Sequence, residues 1–118
     1  MVHDDADPAR KYKPRIEAEL AGLEAESEAG SADRQPVALD QQSVGRLSRM
    51  DAMQVQAMAM AAERRRQARI HKLRKALSRI ADGEYGYCET CGEAIAAGRL
   101  DVDPTAAQCI HCTRLNER

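Results

Sequence analysis

The chain has 118 residues, 43% of them hydrophobic but only 3% aromatic, and it contains neither Trp nor Phe. This composition is too poor in large side chains for a broad globular core, and it favours long helices packed on one another. The formal net charge of −1 argues against a protein that wraps nucleic acid with an overall basic surface.

The first ten residues are polar and predict a flexible N-terminal segment over residues 1–10. Three Asp and no apolar run lie between Met1 and Pro8, so this stretch does not have the pattern of a secretion leader. We therefore expect a cytoplasmic protein whose thiols stay reduced.

A first helix is expected to begin at about residue 11, with Pro14 in its first turn, where a missing amide hydrogen costs little. Its apolar residues recur at helical spacing and form one stripe: Tyr12, Ile16, Leu20 and Leu23. Five Glu and no base lie between residues 17 and 28. Turn-forming residues from Gly30 to Pro36 end this helix and reverse the chain.

A second helix is predicted from roughly Gln41 or Ser43 to Asp82, with Asp40 or Ser43 as its N-cap and Asp82-Gly83 as its stop. About 40 residues make it roughly 60 Å long, too long for the interior of so small a protein. Its later apolar stripe is Ile70, Leu73, Leu77 and Ile80. A softer stripe precedes it, comprising Met50, Met53, Ala57, Met58, Ala61 and Ala62. We interpret this softer stripe as adaptable packing rather than as a binding surface.

The two helices are expected to run antiparallel as a hairpin over residues 11–82, with the turn at about residues 30–42. Eight Arg or Lys and no acid lie between residues 64 and 79, so the basic face of the second helix would pair with the acidic face of the first. The alternative for this basic run is contact with nucleic-acid phosphates. Aromatic side chains that stack on bases are missing from the run, which favours the helix pairing.

Four cysteines near the end of the chain form two Cys-x-x-Cys pairs, Cys88/Cys91 and Cys109/Cys112, separated by 17 residues. This is the spacing of a four-thiolate zinc site. A segment of about 35 residues buries too little apolar surface to fold alone. Metal binding contributes roughly 10 to 16 kcal/mol in zinc-finger peptides and would stabilise it. Four protein ligands leave no open position for a substrate, so we predict Zn²⁺ in a structural role.

Other interpretations of the cysteines are two disulfides, inert thiols, redox chemistry or an iron centre. His111 lies between the ligands of the second pair and could replace one of them. Since four thiolates already complete the shell, a surface side chain is the simpler interpretation of this histidine. No Ser/His/Asp, Cys/His or paired-carboxylate arrangement has supporting spacing, so we expect no enzyme.

The last 35 residues or so resemble the zinc finger of the DksA/TraR family. The resemblance rests on the following residues: Tyr85-Gly86-Tyr87-Cys88-Glu89-Thr90-Cys91-Gly92-Glu93-Ala94-Ile95, Arg99-Leu100, Pro104-Thr105-Ala106 and Cys109-Ile110-His111-Cys112. It implies that residues 83–118 form a zinc finger with a short C-terminal helix. The implied fold class is mainly α, an antiparallel helical hairpin (coiled coil) with a small C-terminal four-cysteine finger.

The resemblance also implies a transcription regulator that binds RNA polymerase. Members of this family insert the hairpin into the secondary channel of the polymerase, with the tip near the active centre. Four residues of the second helix are then candidates for docking on the polymerase: Arg64, Arg65, Arg66 and Arg69. We expect a monomer that binds no membrane and reads no specific DNA sequence.

The predicted tip departs from the Asp-x-x-Asp-x-Ala pattern of the best-known members. Asp40 matches the first acid, Ser43 stands at the second, and an acid followed by Ala occurs later as Asp51-Ala52. Asp40 and Asp51 are therefore the tip candidates, although a helix N-cap and an exposed helical acid are the simpler interpretations. Two other functions stay open, a zinc-stabilised protein adaptor and a weak nucleic-acid-binding zinc protein.

Overall fold

The computed structural model describes residues 7–35 and 46–117. These ranges contain four α-helices and a short 3₁₀ turn at Ser31–Arg34. The helices are α1 (Pro8–Ala29), α2 (Arg46–Ala81), α3 (Ala97–Val102) and α4 (Ile110–Asn116). The chain is mainly α, with an antiparallel helical hairpin and a C-terminal four-cysteine finger, which confirms the predicted fold class. Within the described ranges, no helix is both long and apolar enough to cross a membrane.

The chain divides into two compact units. The finger unit comprises Met1–Ala21 and His71–Arg118, and the helix-pair unit comprises Gly22–Ile70. Both α1 and α2 contribute residues to each unit. Each unit has its own set of internal contacts.

Helix α1 begins three residues earlier than the sequence predicted. A carboxylate oxygen of Asp7 accepts a hydrogen bond from the amide of Ala9 at 3.1 Å, and Pro8 occupies the first helical position, where its fixed φ suits a helix start. Residues 8–10 therefore belong to α1 rather than to the N-terminal segment. The expectation for Pro14 was wrong, because it is an internal residue of α1 and its nitrogen has no hydrogen to donate within the helix.

The C-terminal end of α2 lies one residue before the predicted stop. Gly83 has a φ of +76°, and its amide donates to the carbonyl of Ile80 at 3.2 Å. The next amide, that of Glu84, donates to the carbonyl of Arg79 at 2.9 Å. These two bonds form a Schellman motif, which uses the conformational freedom of glycine to satisfy carbonyls at the helix end. The predicted start of α2 at Gln41 or Ser43 lies outside the described residues.

The core of the finger unit collects apolar side chains from all four helices. Its buried residues are Tyr12, Ile16, Leu73, Ala76, Tyr85, Cys88, Ile95, Leu100, Pro104 and Cys112. Full burial of a Leu or Ile side chain contributes roughly 1.5 to 3 kcal/mol. The predicted stripes of α1 and α2 are confirmed here by burial of Ile16 and Leu73, while Leu20, Leu77 and Ile80 are half-buried.

Polar contacts join α1 to α3 in the finger unit. The Tyr12 hydroxyl donates to the carboxylate of Asp101, and the Arg15 guanidinium donates to the Asp101 carbonyl at 2.8 Å. The hydrogen bond from Tyr12 lowers the pKa of Asp101, and the same bond, together with burial, raises the pKa of Tyr12. The start of α1 is thereby attached to the finger.

The helix-pair unit is organised around the carboxylate of Glu63 on α2. The Ser27 hydroxyl on α1 donates to it at 2.5 Å, the Arg66 guanidinium donates at 2.5 Å, and Arg34 lies 3.6 Å away. The Ser27 hydrogen bond first, and then that from Arg66, lower the pKa of Glu63 to about 2. Three segments of the unit therefore converge on one ionised group.

The pairing in this unit is antiparallel. One contact joins Ser27 to Glu63. A second joins Gln56 to Gln35, whose carbonyl accepts from the Gln56 side chain at 2.8 Å. Between the two contacts the first segment advances by eight residues while α2 goes back by seven. Arg66 also lies 3.5 Å from Glu26, which confirms the predicted pairing of a basic α2 residue with an acidic α1 residue at this position. The register thus depends on polar contacts.

The methionines of α2 do not pack as predicted. Met50, Met53 and Met58 are exposed, Met58 to 65%. The prediction that this softer stripe packs against a neighbouring element is therefore wrong at these three positions. Farther along α2, polar side chains contact α1, Glu63 and Gln67 among them. Ala61 and Ala62 are half-buried. The larger apolar side chains of this stretch therefore face solvent.

The chain around Gly86 is too close to the start of α1 to accept a side chain. Gly86 has a φ of +91°, and a Cβ added there would lie 2.9 Å from Cγ of Pro8. Gly83, at φ +76°, has open space around the corresponding position. Gly86 is therefore required for two reasons, its positive φ and its close contact with Pro8, whereas Gly83 is required only for its positive φ.

We predict that Glu63→Gln changes the pH dependence of stability. The folded-state pKa of about 2 lies below the ordinary value of 4.5, so the ionised carboxylate stabilises the fold above about pH 4.5 and loses this effect as the pH falls through about 2. Urea unfolding of the wild type should therefore weaken more steeply over this window than that of Glu63→Gln. The control is Glu28→Gln, at an exposed α1 glutamate.

Acid also protonates zinc-binding thiolates, but all three proteins share that effect, so the informative quantity is the difference between variants. Parallel profiles for the wild type and Glu63→Gln would contradict the assigned cluster.

We also predict that Gly86→Ala destabilises the finger unit more than Gly83→Ala. A positive φ costs a non-glycine residue about 1 to 2 kcal/mol, and only the Gly86 variant must in addition displace Pro8. The free energy of unfolding in urea, measured on zinc-loaded protein, should show the larger loss for Gly86→Ala. Equal losses would mean that the contact with Pro8 contributes nothing.

Candidate metal centre

The structure brings the four predicted ligands together. The sulfur atoms of Cys88, Cys91, Cys109 and Cys112 all lie within 4.8 Å of one another, and all four residues are free thiols. The Cys91 and Cys109 sulfurs are 3.8 Å apart. Zinc–sulfur bonds of about 2.3 Å in a tetrahedron place sulfurs about 3.8 Å apart. The cluster therefore fits one Zn²⁺ ion.

The first Cys-x-x-Cys pair lies in a small hairpin, residues 86–95. The Cys88 amide donates to the Glu93 carbonyl at 2.7 Å, and the Gly92 amide donates back to the Cys88 carbonyl at 2.9 Å. Gly92 closes the turn with a φ of +77°, a conformation that glycine adopts without strain. Both sulfurs of this pair are thereby directed to one side of a tight loop.

The second pair opens helix α4. Cys109 is the N-cap, and its sulfur accepts a hydrogen bond from the Cys112 amide at 3.4 Å. An amide at a helix start stabilises negative charge on such a sulfur. The i,i+3 spacing of the pair then places Cys112 one helical turn onward, on the same face as Cys109.

Four hydrogen bonds support the two cysteine pairs, two between their loops and two from α3. The Glu89 amide donates to the Ala107 carbonyl at 2.8 Å, and the Gln108 side chain donates to the Thr90 hydroxyl at 2.9 Å. Arg99 on α3 donates to the Gln108 carbonyl at 2.8 Å and to the hydroxyl of Thr113 at 2.8 Å. The ligands are thus supported by hydrogen bonds from beyond the coordination shell, which orient them toward the metal.

The electrostatics of the cluster suit a cation. The Cys91 amide, the largest influence, lowers the pKa of the Cys88 thiol to about 6, which favours a thiolate at neutral pH. In contrast, the hydrogen bond with Cys109, followed by burial, raises the pKa of Cys112 to about 12. Four sulfurs this close resist full ionisation, and the charge of Zn²⁺ offsets that resistance.

The zinc is structural. Four thiolates complete a tetrahedral shell, whereas catalytic zinc keeps one position for water or substrate. His111 is exposed and does not belong to the four-sulfur cluster.

The other predicted site residues are distributed along α2 or lie outside the described residues. Asp40 is outside them, and Asp51 is exposed in the second turn of α2. Arg64 and Arg65 are exposed, whereas Arg66 and Arg69 are half-buried. Arg66 is engaged with Glu63 and Glu26. The described candidates, Asp51, Arg64, Arg65, Arg66 and Arg69, belong to the helix-pair unit, whereas the metal ligands belong to the finger unit.

Sequence reasoning missed two arginines, Arg99 and Arg79, whose guanidinium groups donate to backbone carbonyls of the finger. In the sequence, Arg99 stands out only as part of the Arg99-Leu100 motif, and Arg79 is one member of the basic run. The sole sequence signal for Arg99 was its place in that motif. No sequence signal distinguished Arg79 from its basic neighbours.

The chain matches a known family over the finger. Residues 83–118 match the model of the prokaryotic dksA/traR C4-type zinc finger. RNA polymerase-binding transcription factor DksA of Escherichia coli (strain K12) is 46% identical over 48 residues, which are 41% of this chain and 32% of that protein. The factor of the same name from Caulobacter vibrioides (strain NA1000 / CB15N) is 45% identical over 49 residues, 42% of this chain and 34% of that protein. The chain thus covers about a third of these relatives.

A solved structure extends the likeness to the fold. Transcription factor DksA2 from Pseudomonas aeruginosa matches with a TM-score of 0.76 and 22% sequence identity, covering 98% of this chain and 87% of that one. The resemblance to the DksA/TraR zinc finger that the sequence predicted is therefore confirmed, and the fold is shared along nearly the whole chain.

We predict one zinc ion per chain, bound by the four thiolates. Native mass spectrometry of the purified protein should give a one-to-one complex, and Cys91→Ser should lose the metal or bind it far more weakly, since the thiolate is the ligand. His111→Ala is the control and should keep wild-type affinity. Loss of zinc from the histidine variant would place His111 in the shell and contradict the four-thiolate assignment.

Proposed function

We propose that this protein is a transcription regulator that binds RNA polymerase, because residues 83–118 match the prokaryotic dksA/traR C4-type zinc finger. Its relatives are named RNA polymerase-binding transcription factors. The single observation that carries the proposal is the combination of this finger with a fold shared over 98% of the chain with transcription factor DksA2. The proposal places the protein in the cytoplasm and assigns it no catalysed reaction.

The proposed contact with polymerase uses the helical hairpin in the secondary channel. A pair of packed helices is narrow enough to enter a channel that excludes a globular domain, since each helix with its side chains is about 10 to 12 Å across. In this proposal the zinc finger holds the ends of α1 and α2, and Asp40 or Asp51 is the acid near the active centre. The exposure of Asp51 is compatible with that role.

The proposed docking role among the basic residues falls chiefly to Arg64 and Arg65. Both are exposed, so their charges are available to an acidic polymerase surface. Arg66 has a side chain only 19% exposed and bound to Glu63 and Glu26, so it supports the helix pair. Arg69 is half-buried and makes an interaction of its own.

The competing function is a zinc-stabilised adaptor for another protein. The exposed methionines of α2, Met50, Met53 and Met58, favour it, because flexible apolar side chains adapt to varied partners. Core RNA polymerase separates the two functions. A polymerase-binding protein should compete with another secondary-channel factor for the enzyme, whereas an adaptor should not.

We predict that one acid-to-amide change abolishes the effect on transcription without weakening polymerase binding. The experiment is in vitro transcription from a promoter with a short-lived open complex, using the wild type, Asp40→Asn and Asp51→Asn. Asp33→Asn, at an exposed acid of the 3₁₀ turn, is the matched control. Equal activity of all four proteins would remove the acidic-tip mechanism while leaving polymerase binding to be judged separately.

The docking role of the exposed arginines is tested with the double variant Arg64→Gln/Arg65→Gln, whose affinity for RNA polymerase is compared with that of the wild type. Exposed ion pairs contribute about 0.2 to 1 kcal/mol each, so the double variant should bind polymerase about 2- to 30-fold more weakly. The difference should shrink at high salt. Unchanged binding at low salt would show that these two charges face solvent in the complex.

A further inference from the structure

An arginine near the end of α2 reaches into the first Cys-x-x-Cys loop. One terminal nitrogen of Arg79 donates to the Glu84 carbonyl at 3.2 Å and to the Tyr87 carbonyl. The other lies 3.7 Å from the carboxylate of Glu89. The Arg79 side chain is only 15% exposed, so these contacts are largely shielded from water.

Two of the residues that Arg79 contacts are the immediate sequence neighbours of a metal ligand. Tyr87 immediately precedes Cys88, and Glu89 immediately follows it. The backbone of the same arginine accepts the Glu84 amide at 2.9 Å in the Schellman motif. Arg79 therefore fixes the connection between α2 and the loop through both its main chain and its side chain.

These contacts need an arginine and a folded loop. A guanidinium has five donors in a planar fork, so it can bond two carbonyls and face a carboxylate at once, whereas a lysine ammonium cannot match that geometry. The loop in turn depends on zinc, because so small a module gains its folding free energy from the metal. The bonds of Arg79 and the bonds of zinc thus require the same loop conformation, and their free energies are linked.

We propose that Arg79 is a positioning residue of the metal centre that couples zinc occupancy to the order of the last turn of α2. Zinc binding stabilises the loop to which Arg79 donates hydrogen bonds, and those hydrogen bonds hold Cys88 in the position that zinc requires. Because thermodynamic coupling is reciprocal, zinc binding strengthens the contacts of Arg79 by the same free energy by which those contacts strengthen zinc binding. This role goes beyond polymerase binding and holds whether or not the proposed function is correct.

The first test compares the zinc affinity of full-length Arg79→Gln with that of the wild type, measured by competition with a chromophoric chelator. Loss of a group that supports a ligand typically weakens metal binding about 10- to 100-fold, and we expect a loss of at least about tenfold. Lys75→Gln removes the same charge one turn earlier, at an exposed position of the same helix. It should change the affinity less than about twofold. Equal affinities for both variants would overturn the proposal.

The second test separates coupling from a general contribution to stability. The free energy of unfolding is measured in urea for zinc-loaded and metal-free protein, each as wild type and as Arg79→Gln. Coupling predicts a larger loss in the zinc-loaded pair than in the metal-free pair, whereas a contribution independent of zinc predicts equal losses. Equal losses would contradict the proposal.

Amide hydrogen exchange in zinc-loaded protein replaces the urea measurement if the metal-free chain unfolds without a cooperative transition. In zinc-loaded Arg79→Gln, the amides of Cys88 and Glu84 should exchange faster than in the wild type, and those in Lys75→Gln should not. Arg79→Lys should restore only part of the protection, since it keeps the charge and loses the fork. Full protection in Arg79→Gln would count against the coupling.

Discussion

The finger depends on the convergence of four thiolates on one metal ion. Each sulfur is held by short-range structure, a glycine turn for Cys88 and Cys91 and a helix start for Cys109 and Cys112. Neither element buries enough apolar surface to persist alone, so the metal links two local structures that are each marginal. The remaining contacts of the finger unit, such as that of Arg99 with Gln108, support the same geometry that zinc binding requires.

The helix-pair unit is held in a different way. Its central contacts are polar, and Glu63 gathers a hydroxyl and two guanidinium groups while remaining ionised. A half-buried charge of this kind contributes modestly to net stability, but an alternative register would leave it without its partners. In a chain with so few aromatic residues, polar contacts are well suited to specify which residues of α1 face which residues of α2.

Sequence reasoning succeeded where the signal is local. The spacing of the cysteines defined the ligands, and Asp82-Gly83 located the end of α2 to within one residue. It failed where the outcome depends on a partner surface. The exposure of Met50 and Met53 depends on what packs against α2 at these positions, which helical periodicity alone does not contain. The early start of α1 was a missed local signal, since Asp7-Pro8 is a favourable cap followed by a favourable first residue.

The basic run of α2 illustrates why residues of one type must be assigned separately. Arg66 lies within the helix pair, Arg79 grips the finger, and Arg64 and Arg65 remain exposed. The first two are committed to internal contacts, so they stabilise the protein whether or not a partner is present. Exposed charges such as those of Arg64 and Arg65 change their electrostatic surroundings when a partner binds, so long-range attraction to a partner depends on residues of this kind. Removing the charge at Arg66 or Arg79 would disturb internal contacts of the fold, whereas removing it at Arg64 or Arg65 tests the exposed surface alone.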